Sequence, residues 1–139
     1  MSPKDANAPT QPPATIPSIR RAMMPRDTNA VGTIFGGVIL AEMDLAAGIE
    51  ARNHVPHRCV TVAFDQVEFK EPVQVGDVVS FHTSAVRIGR TSITIQVDVW
   101  SKKRMGGGEW VHVTVGCVTM VAVDQDMRPT PIRSEDSGA

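Results

Sequence analysis

Between residues 36 and 53 the chain reads Gly36-Gly37-Val38-Ile39-Leu40-Ala41-Glu42-Met43-Asp44-Leu45-Ala46-Ala47-Gly48-Ile49-Glu50-Ala51-Arg52-Asn53. Its apolar residues surround most of a helix instead of forming one stripe, which is the pattern of an interior helix. A carboxylate sits in the middle of it. Asp44 has Leu40, Ala41, Ala47 and Gly48 as its i±3 and i±4 neighbours, so no basic residue of its own helix pairs with it. Burying an unpaired charge costs several kcal/mol by the usual scale. That points to a chemical use for Asp44.

On either side of this helix the apolar period changes to 2. A short strand is expected at Ile19 to Met24. Arg58 to Phe69 reads as a strand with Val60, Val62 and Phe64 on one face, and the step to Val67 fits a bulge near Asp65 and Gln66. Asp77 to Ile88 follows after the turn signals Pro72 and Gly76. Gly89-Arg90 makes a tight connection to a strand carrying Ile93, Ile95, Val97 and Val99. Gly106-Gly107-Gly108 forms a hairpin loop before Trp110 to Val123, with Val111, Val113, Val115, Cys117 and Val121 on one side. Short connections between these last four strands predict antiparallel neighbours. The fold class is α+β, with an antiparallel sheet wrapped around one helix.

Length and composition bound the function classes. A chain of 139 residues with 42% hydrophobic content makes one domain with a proper core, and no run reaches the roughly 18 apolar residues of a membrane span. A net charge of −1 gives no support to nucleic-acid or membrane partners. The segment 1–18 carries five prolines and no apolar centre, so it reads as a disordered leader, with the domain over 19–132 and a disordered tail at 133–139. Cys59 and Cys117 lie in apolar strands without metal-ligand spacing, as buried free thiols of a cytoplasmic protein do. His54, His57, His82 and His112 show no ligand spacing, and no metal is expected.

The string Met24-Pro25-Arg26-Asp27-Thr28-Asn29-Ala30-Val31-Gly32-Thr33-Ile34-Phe35-Gly36-Gly37, followed by Met43-Asp44, resembles the hotdog-fold acyl-CoA thioesterases, in particular their YciA-like group. Val60-Thr61-Val62, Pro72 to Asp77, Gly89-Arg90-Thr91-Ser92 and Val121 to Asp124 are similar too, so the likeness runs from about Ile19 to Pro131. It implies a hotdog fold, in which five to six strands wrap one long helix and the sheets of two subunits join. It further implies a homodimer as minimal unit, a trimer of dimers as the higher assembly, and hydrolysis of coenzyme A thioesters with no cofactor. The catalytic carboxylate of the family falls on Asp44, and Asn29 faces the reaction centre.

The chemistry can also be read from the residues. Attack on a thioester carbonyl creates an oxyanion, which suits the unpaired first-turn amides of a helix at the positive end of its dipole. Gly36 and Gly37 there let a substrate approach the backbone, or else they only permit a tight turn into the helix. Asp44 is the candidate general base or nucleophile, and periodicity does not separate it from Glu42. Asp44 lies seven to eight residues past the glycines, roughly 10–12 Å along a straight helix, so one carbonyl cannot meet both within a chain. Two antiparallel helices in a twofold dimer bring them together.

Other candidates carry alternatives. Asn29 positions water or makes an Asx turn in its loop. Thr61 orients Asp44 or water, or is an ordinary β-branched strand residue. Arg90, Thr91 and Ser92, with Lys102, Lys103 and Arg104, are candidates for coenzyme A phosphates, or form solvated strand ends. Two rival functions stand beside hydrolysis. A hotdog dehydratase needs a His working with a carboxylate, and the helix holds none before His54. A non-catalytic acyl-CoA sensor or carrier would bind without turnover.

Overall fold

In the computed structural model, residues 9–133 are described. The elements run β1 (Ile19–Ala22), α1 (Gly36–Ala51), β2 (Arg58–Phe69), β3 (Val78–Ile88), β4 (Ser92–Lys102) and β5 (Trp110–Val123), with one 3-10 turn at Pro25–Asp27. Of the expected leader, residues 9–18 contain neither helix nor strand. Residues 1–8, and 134–139 of the expected tail, lie outside the described residues. Among the described residues no helix is long and apolar enough to cross a membrane.

Five antiparallel strands form one sheet in the order β1-β3-β4-β5-β2, curved around α1. This is the α+β hotdog. One expected neighbour relation is wrong. The connection after β2 is short, yet β2 pairs with β5 at one edge while β3 lies between β1 and β4. Three strand spacings amount to only about 14 Å, which a few extended residues span across the strand ends.

Packing follows from which side of each strand meets the helix. Ile93, Ile95, Val97 and Val99 of β4 are fully buried against it, as the alternation predicts. On β5 the expected apolar side is only partly correct. Val113 belongs to the core, but beyond it the inward set is Val118, Met120 and Ala122. The register slips between the β4 residues Val99 and Trp100, which pair with Thr114 and His112, so Val113 is the extra residue and the facing side changes there. Gly116 then lies under α1. A Cβ on it would come to 3.0 Å from the Met43 methyl and 3.1 Å from the Val67 side chain, so a larger residue would make the Met43 and Val67 side chains give way. Met43 itself is fully buried, and truncating such a side chain to Ala costs about 2–5 kcal/mol.

On β2 the sides are reversed from the expectation. Thr61 reaches α1, while Val62 and Phe64 are exposed along this edge strand. The foreseen bulge is present between Asp65 and Glu68, with Gln66 at φ 54°, and a second slip occurs between Thr61 and Ala63. The two thiols are free, and each is half-buried rather than buried.

The helix is interior on one side only. Ile39, Met43, Ala46, Ala47 and Ala51 pack on the sheet, whereas Leu45 stays 60% exposed, together with Ile49 and the neighbouring Phe35. A single sheet covers one side of a cylinder. The opposite side of α1 and the free edge of β2 are both apolar and both open.

Candidate active site

The carboxylate of Asp44 is held from the sheet. Thr61 Oγ1 donates a short hydrogen bond to Asp44 Oδ1, and Oδ2 takes no hydrogen bond among the described residues. Thr61 therefore sets the rotation of the carboxylate and leaves one oxygen available. Asp44 and Thr61 open onto a cleft of about 480 Å³, lined also by Leu45, Gly48, Ile49 and Met120, with Arg52, His57, Arg58 and Cys59 towards the end of the helix. Burial pushes the Cys59 thiol up, away from a reactive thiolate.

Glu42 is separated from Asp44 by what it touches. It lies 3.5 Å from Arg21, which also grips Asp27 with contacts of 2.7 and 2.8 Å. Asp27 in turn accepts from the Met24 amide at 2.9 Å, and that bond, with Arg21, holds its carboxyl below its ordinary value against the opposing effect of burial. The Asp27 carbonyl accepts from the Phe35 amide at 2.9 Å, and Val73 O accepts from Ile34 N at 2.8 Å. This network of Glu42, Arg21 and Asp27 ties the loop in front of α1 to β1 and to the helix itself. It aims the first turn.

In that turn no side chain caps the helix, and among the described residues the Gly36 and Gly37 amides have no acceptor. The ring of Phe35 packs over Gly37, where a Cβ would meet it at 2.4 Å. Gly36 lines a separate depression of about 320 Å³ with Ile34, Phe69, Pro72 and Thr114. Within one chain Gly36 and Asp44 thus open onto different clefts. Asn29 closes its own loop and keeps one Nδ2 hydrogen uncommitted among the described residues. Its side-chain oxygen accepts from the Val31 and Thr33 amides at 2.9 and 3.1 Å, and its Nδ2 donates to Thr33 Oγ1 at 2.8 Å. That shape is the Asx turn.

The six candidates for coenzyme A phosphates fall into two groups at opposite ends of β4. An eleven-residue strand separates them by roughly 33 Å, too far for one diphosphate to join them in one chain. Arg90, Thr91 and Ser92 lie at the end where Ser92 pairs with Val121 and Val121 with Val60, beside the Asp44 cleft. Lys102, Lys103 and Arg104 lie at the glycine end. Lys103 Nζ is 2.9 Å from the buried Asp77 and donates to Pro72 O at 2.8 Å. Burial pushes Asp77 up, but Lys103 and the Gln74 and Arg104 amides outweigh it and hold the carboxyl below its ordinary value. Lys102 lies 5.8 Å from the centre of the Trp110 ring.

Arg52, His57 and Arg58 at the end of the Asp44 cleft were not among the sequence candidates, although two signals mark the first two. Asp44, Gly48 and Arg52 are spaced i, i+4, i+8 on one helix side, and His57, just ahead of β2, stands two residues before Cys59 and four before Thr61.

A single helix inside a curved antiparallel sheet, with a carboxylate mid-helix and free amides at its first turn, defines the hotdog thioesterase class. A model of the thioesterase superfamily matches residues 31–107. An uncharacterised acyl-CoA thioester hydrolase of Zymomonas mobilis is 42% identical over 129 residues, covering 93% of this chain and 86% of that one. The acyl-CoA thioester hydrolase YciA of Salmonella typhimurium is 40% identical over 116 residues, 82% of this chain and 87% of its own. A hexameric hotdog-fold thioesterase of Campylobacter jejuni, solved as a crystal structure, superposes with a TM-score of 0.81 at 42% identity, covering 88% of this chain and 92% of that one. The chain belongs to the thioesterase superfamily, among its YciA-like acyl-CoA thioester hydrolases. It is an enzyme of that class.

Proposed function

We propose that the chain hydrolyses coenzyme A thioesters at a site shared by two subunits, with Asp44 of one and the Gly36 and Gly37 amides of the other. The observation that carries this reading is the free Oδ2 of Asp44, held by Thr61 and facing a cleft whose outer wall is the uncovered side of α1. A second copy, laid antiparallel on that side, places its helix N-terminus against Asp44. Pairing of the two apolar β2 edges continues the sheet across the dimer and removes an exposed edge.

In that geometry Asp44 either takes a proton from water as the water attacks, or attacks the carbonyl itself and forms a mixed anhydride that water then cleaves. Both routes break the C–S bond, release coenzyme A as the thiol and leave the free acid. The developing oxyanion accepts from the glycine amides, donors worth about 2.7–4 kcal/mol each in comparable sites. Asn29 acts through the loop it closes, and Lys103 serves the Asp77 clamp in preference to phosphate. The Campylobacter relative is hexameric, and three dimers is the assembly we infer here. Two free thiols suit a reducing cytoplasm.

Release of the coenzyme A thiol from a panel of acyl-CoAs tests the activity. Asp44→Asn is expected to lower kcat by at least about 10²-fold in a folded protein, and Glu42→Gln far less. The reverse order would move the chemistry to Glu42.

A further inference from the structure

Two arginines and a histidine line the Asp44 cleft and take no part in the chemistry described above. Arg52 caps the C-terminal end of α1, two helical turns beyond Asp44, and Arg58 opens β2 three residues before Thr61. His57 precedes it on the same side as Cys59 and Thr61. Among the described residues the Arg52 and His57 side chains have no hydrogen-bond or ion-pair partner. Arg58 makes one long contact, 3.4 Å to the Asp124 carbonyl. Lys103, by contrast, is tied to a buried carboxylate. Asp44 is the sole carboxylate among the residues lining the cleft.

Spacing says what such a group would meet. From Asp44 to Arg52 the helix rises about 12 Å, and from Thr61 to Arg58 the strand runs about 10 Å. Between them the wall is Leu45, Gly48, Ile49 and Met120. A substrate whose carbonyl lies at Asp44 therefore runs past an apolar stretch before it reaches the two guanidinium groups and the His57 ring. Guanidinium forks bind phosphate and carboxylate oxygens in pairs.

We propose that Arg52, His57 and Arg58 form an anion subsite of the enzyme, which holds a phosphate or carboxylate carried by the substrate roughly 10–12 Å from its thioester carbonyl. Two sources supply that chemistry. One is the phosphates of coenzyme A at the end of the pantetheine arm. The other is a carboxylate at the far end of the acyl group. The proposal rests on Asp44 as the reacting group.

Four thioesters separate the sources: an acyl group with or without a terminal carboxylate, each on coenzyme A and on pantetheine. Arg52→Gln combined with Arg58→Gln is expected to raise KM by about tenfold or more on the substrates that carry the recognised anion, with a much smaller change in kcat. The paired Arg→Lys changes keep the charge but not the fork and are expected to recover part of the loss, which also guards against a Gln variant that folds poorly. Loss on both coenzyme A thioesters and on neither pantetheine thioester supports the subsite and assigns it to the phosphates. Loss confined to the carboxylated acyl group on both carriers supports it and assigns it to the acyl carboxylate. A KM within about twofold of the parent on all four, or an equal rise on all four including the uncharged pantetheine thioester, overturns the subsite. Asp44→Asn is measured alongside. If it is as active as the parent, the active-site reading itself falls, whereas an inactive Asp44→Asn with unmoved KM in the arginine variants removes the subsite alone.

Discussion

Thr61 shows how much one hydroxyl can decide. Its bond to Asp44 leaves the carboxylate a single free oxygen and one orientation. Thr61→Val keeps the shape and removes the donor, so kcat is expected to fall by about tenfold, as for loss of one hydrogen bond to a charged group, while KM changes little. Thr61→Ser restores the donor and is expected to recover most of the rate. Steady-state kinetics on the three proteins checks this, and equal kcat in Thr61→Val would mean that Asp44 orients itself. Lys103 is a contrasting case. Its ammonium is bound to Asp77, a side chain 2% exposed that also accepts from Ser101 and two backbone amides. Lys103→Gln leaves that charge less well paired and is expected to cost about 1–3 kcal/mol, seen as a lower melting temperature, with little change in KM. A rise in KM with unchanged stability would return Lys103 to the phosphates.

At the scale of elements, the outer side of the sheet carries its own acid sensitivity. His82 on β3 is buried, with both ring nitrogens unpartnered among the described residues, opposite Asp98 of β4 and within the field of Arg20 on β1. Burial lowers its pKa below the ordinary 6.5, Arg20 lowers it further, and Asp98 opposes both. The sign follows from proton counting. Below about pH 6.5 the unfolded chain takes up a proton that the folded chain refuses, so stability falls as the pH falls and levels off below the folded pKa. Asp27 and Asp77 act in the same direction at lower pH, since their lowered pKa values stabilise the fold above the ordinary 3.8 and lose that effect as the pH falls through the folded values. Chemical denaturation at several pH values is expected to show declining stability from pH 7 to 5, and His82→Leu is expected to flatten that stretch. An unchanged slope in His82→Leu would place the titration elsewhere.

For the whole molecule, the separation of Gly36 and Asp44 into different clefts makes a quaternary claim testable. Asp44→Ala leaves the oxyanion amides intact, and Gly37→Val leaves the carboxylate intact. The Val side chain displaces the exposed ring of Phe35, which is free to swing outward, so the fold is expected to tolerate it. Each variant alone is expected to be inactive. In a mixed dimer one site joins the good glycines to the good carboxylate, so random mixing is expected to return roughly a quarter of the parental activity. Differently tagged variants, refolded together and isolated as heterodimers, would show it, and a heterodimer no more active than its parents would confine each site to one subunit. Light scattering is expected to give about 90 kDa for six chains of 15.0 kDa.

Local patterns were enough for the sequence to determine the helix, the strand ends and the candidacy of Asp44. Helix α1 was legible from its apolar run, β4 from strict alternation, and the bulge on β2 from a broken period, because each depends on residues close together along the chain. The glycines and the carboxylate were legible as candidates for the same reason. Side assignments on β2 and β5 were not. A slipped residue at Val113 or between Thr61 and Ala63 exchanges inside for outside, and only pairing with a distant strand reveals it. Periodicity did not separate Glu42 from Asp44, because each has apolar neighbours on its own helix, and only the family resemblance favoured Asp44. Tertiary contacts set their surroundings apart, sending Glu42 to Arg21 and Asp44 to Thr61. The placing of Arg52 and Arg58 on one cleft belongs to the same level, since it requires the end of a helix and the start of a strand to meet in space.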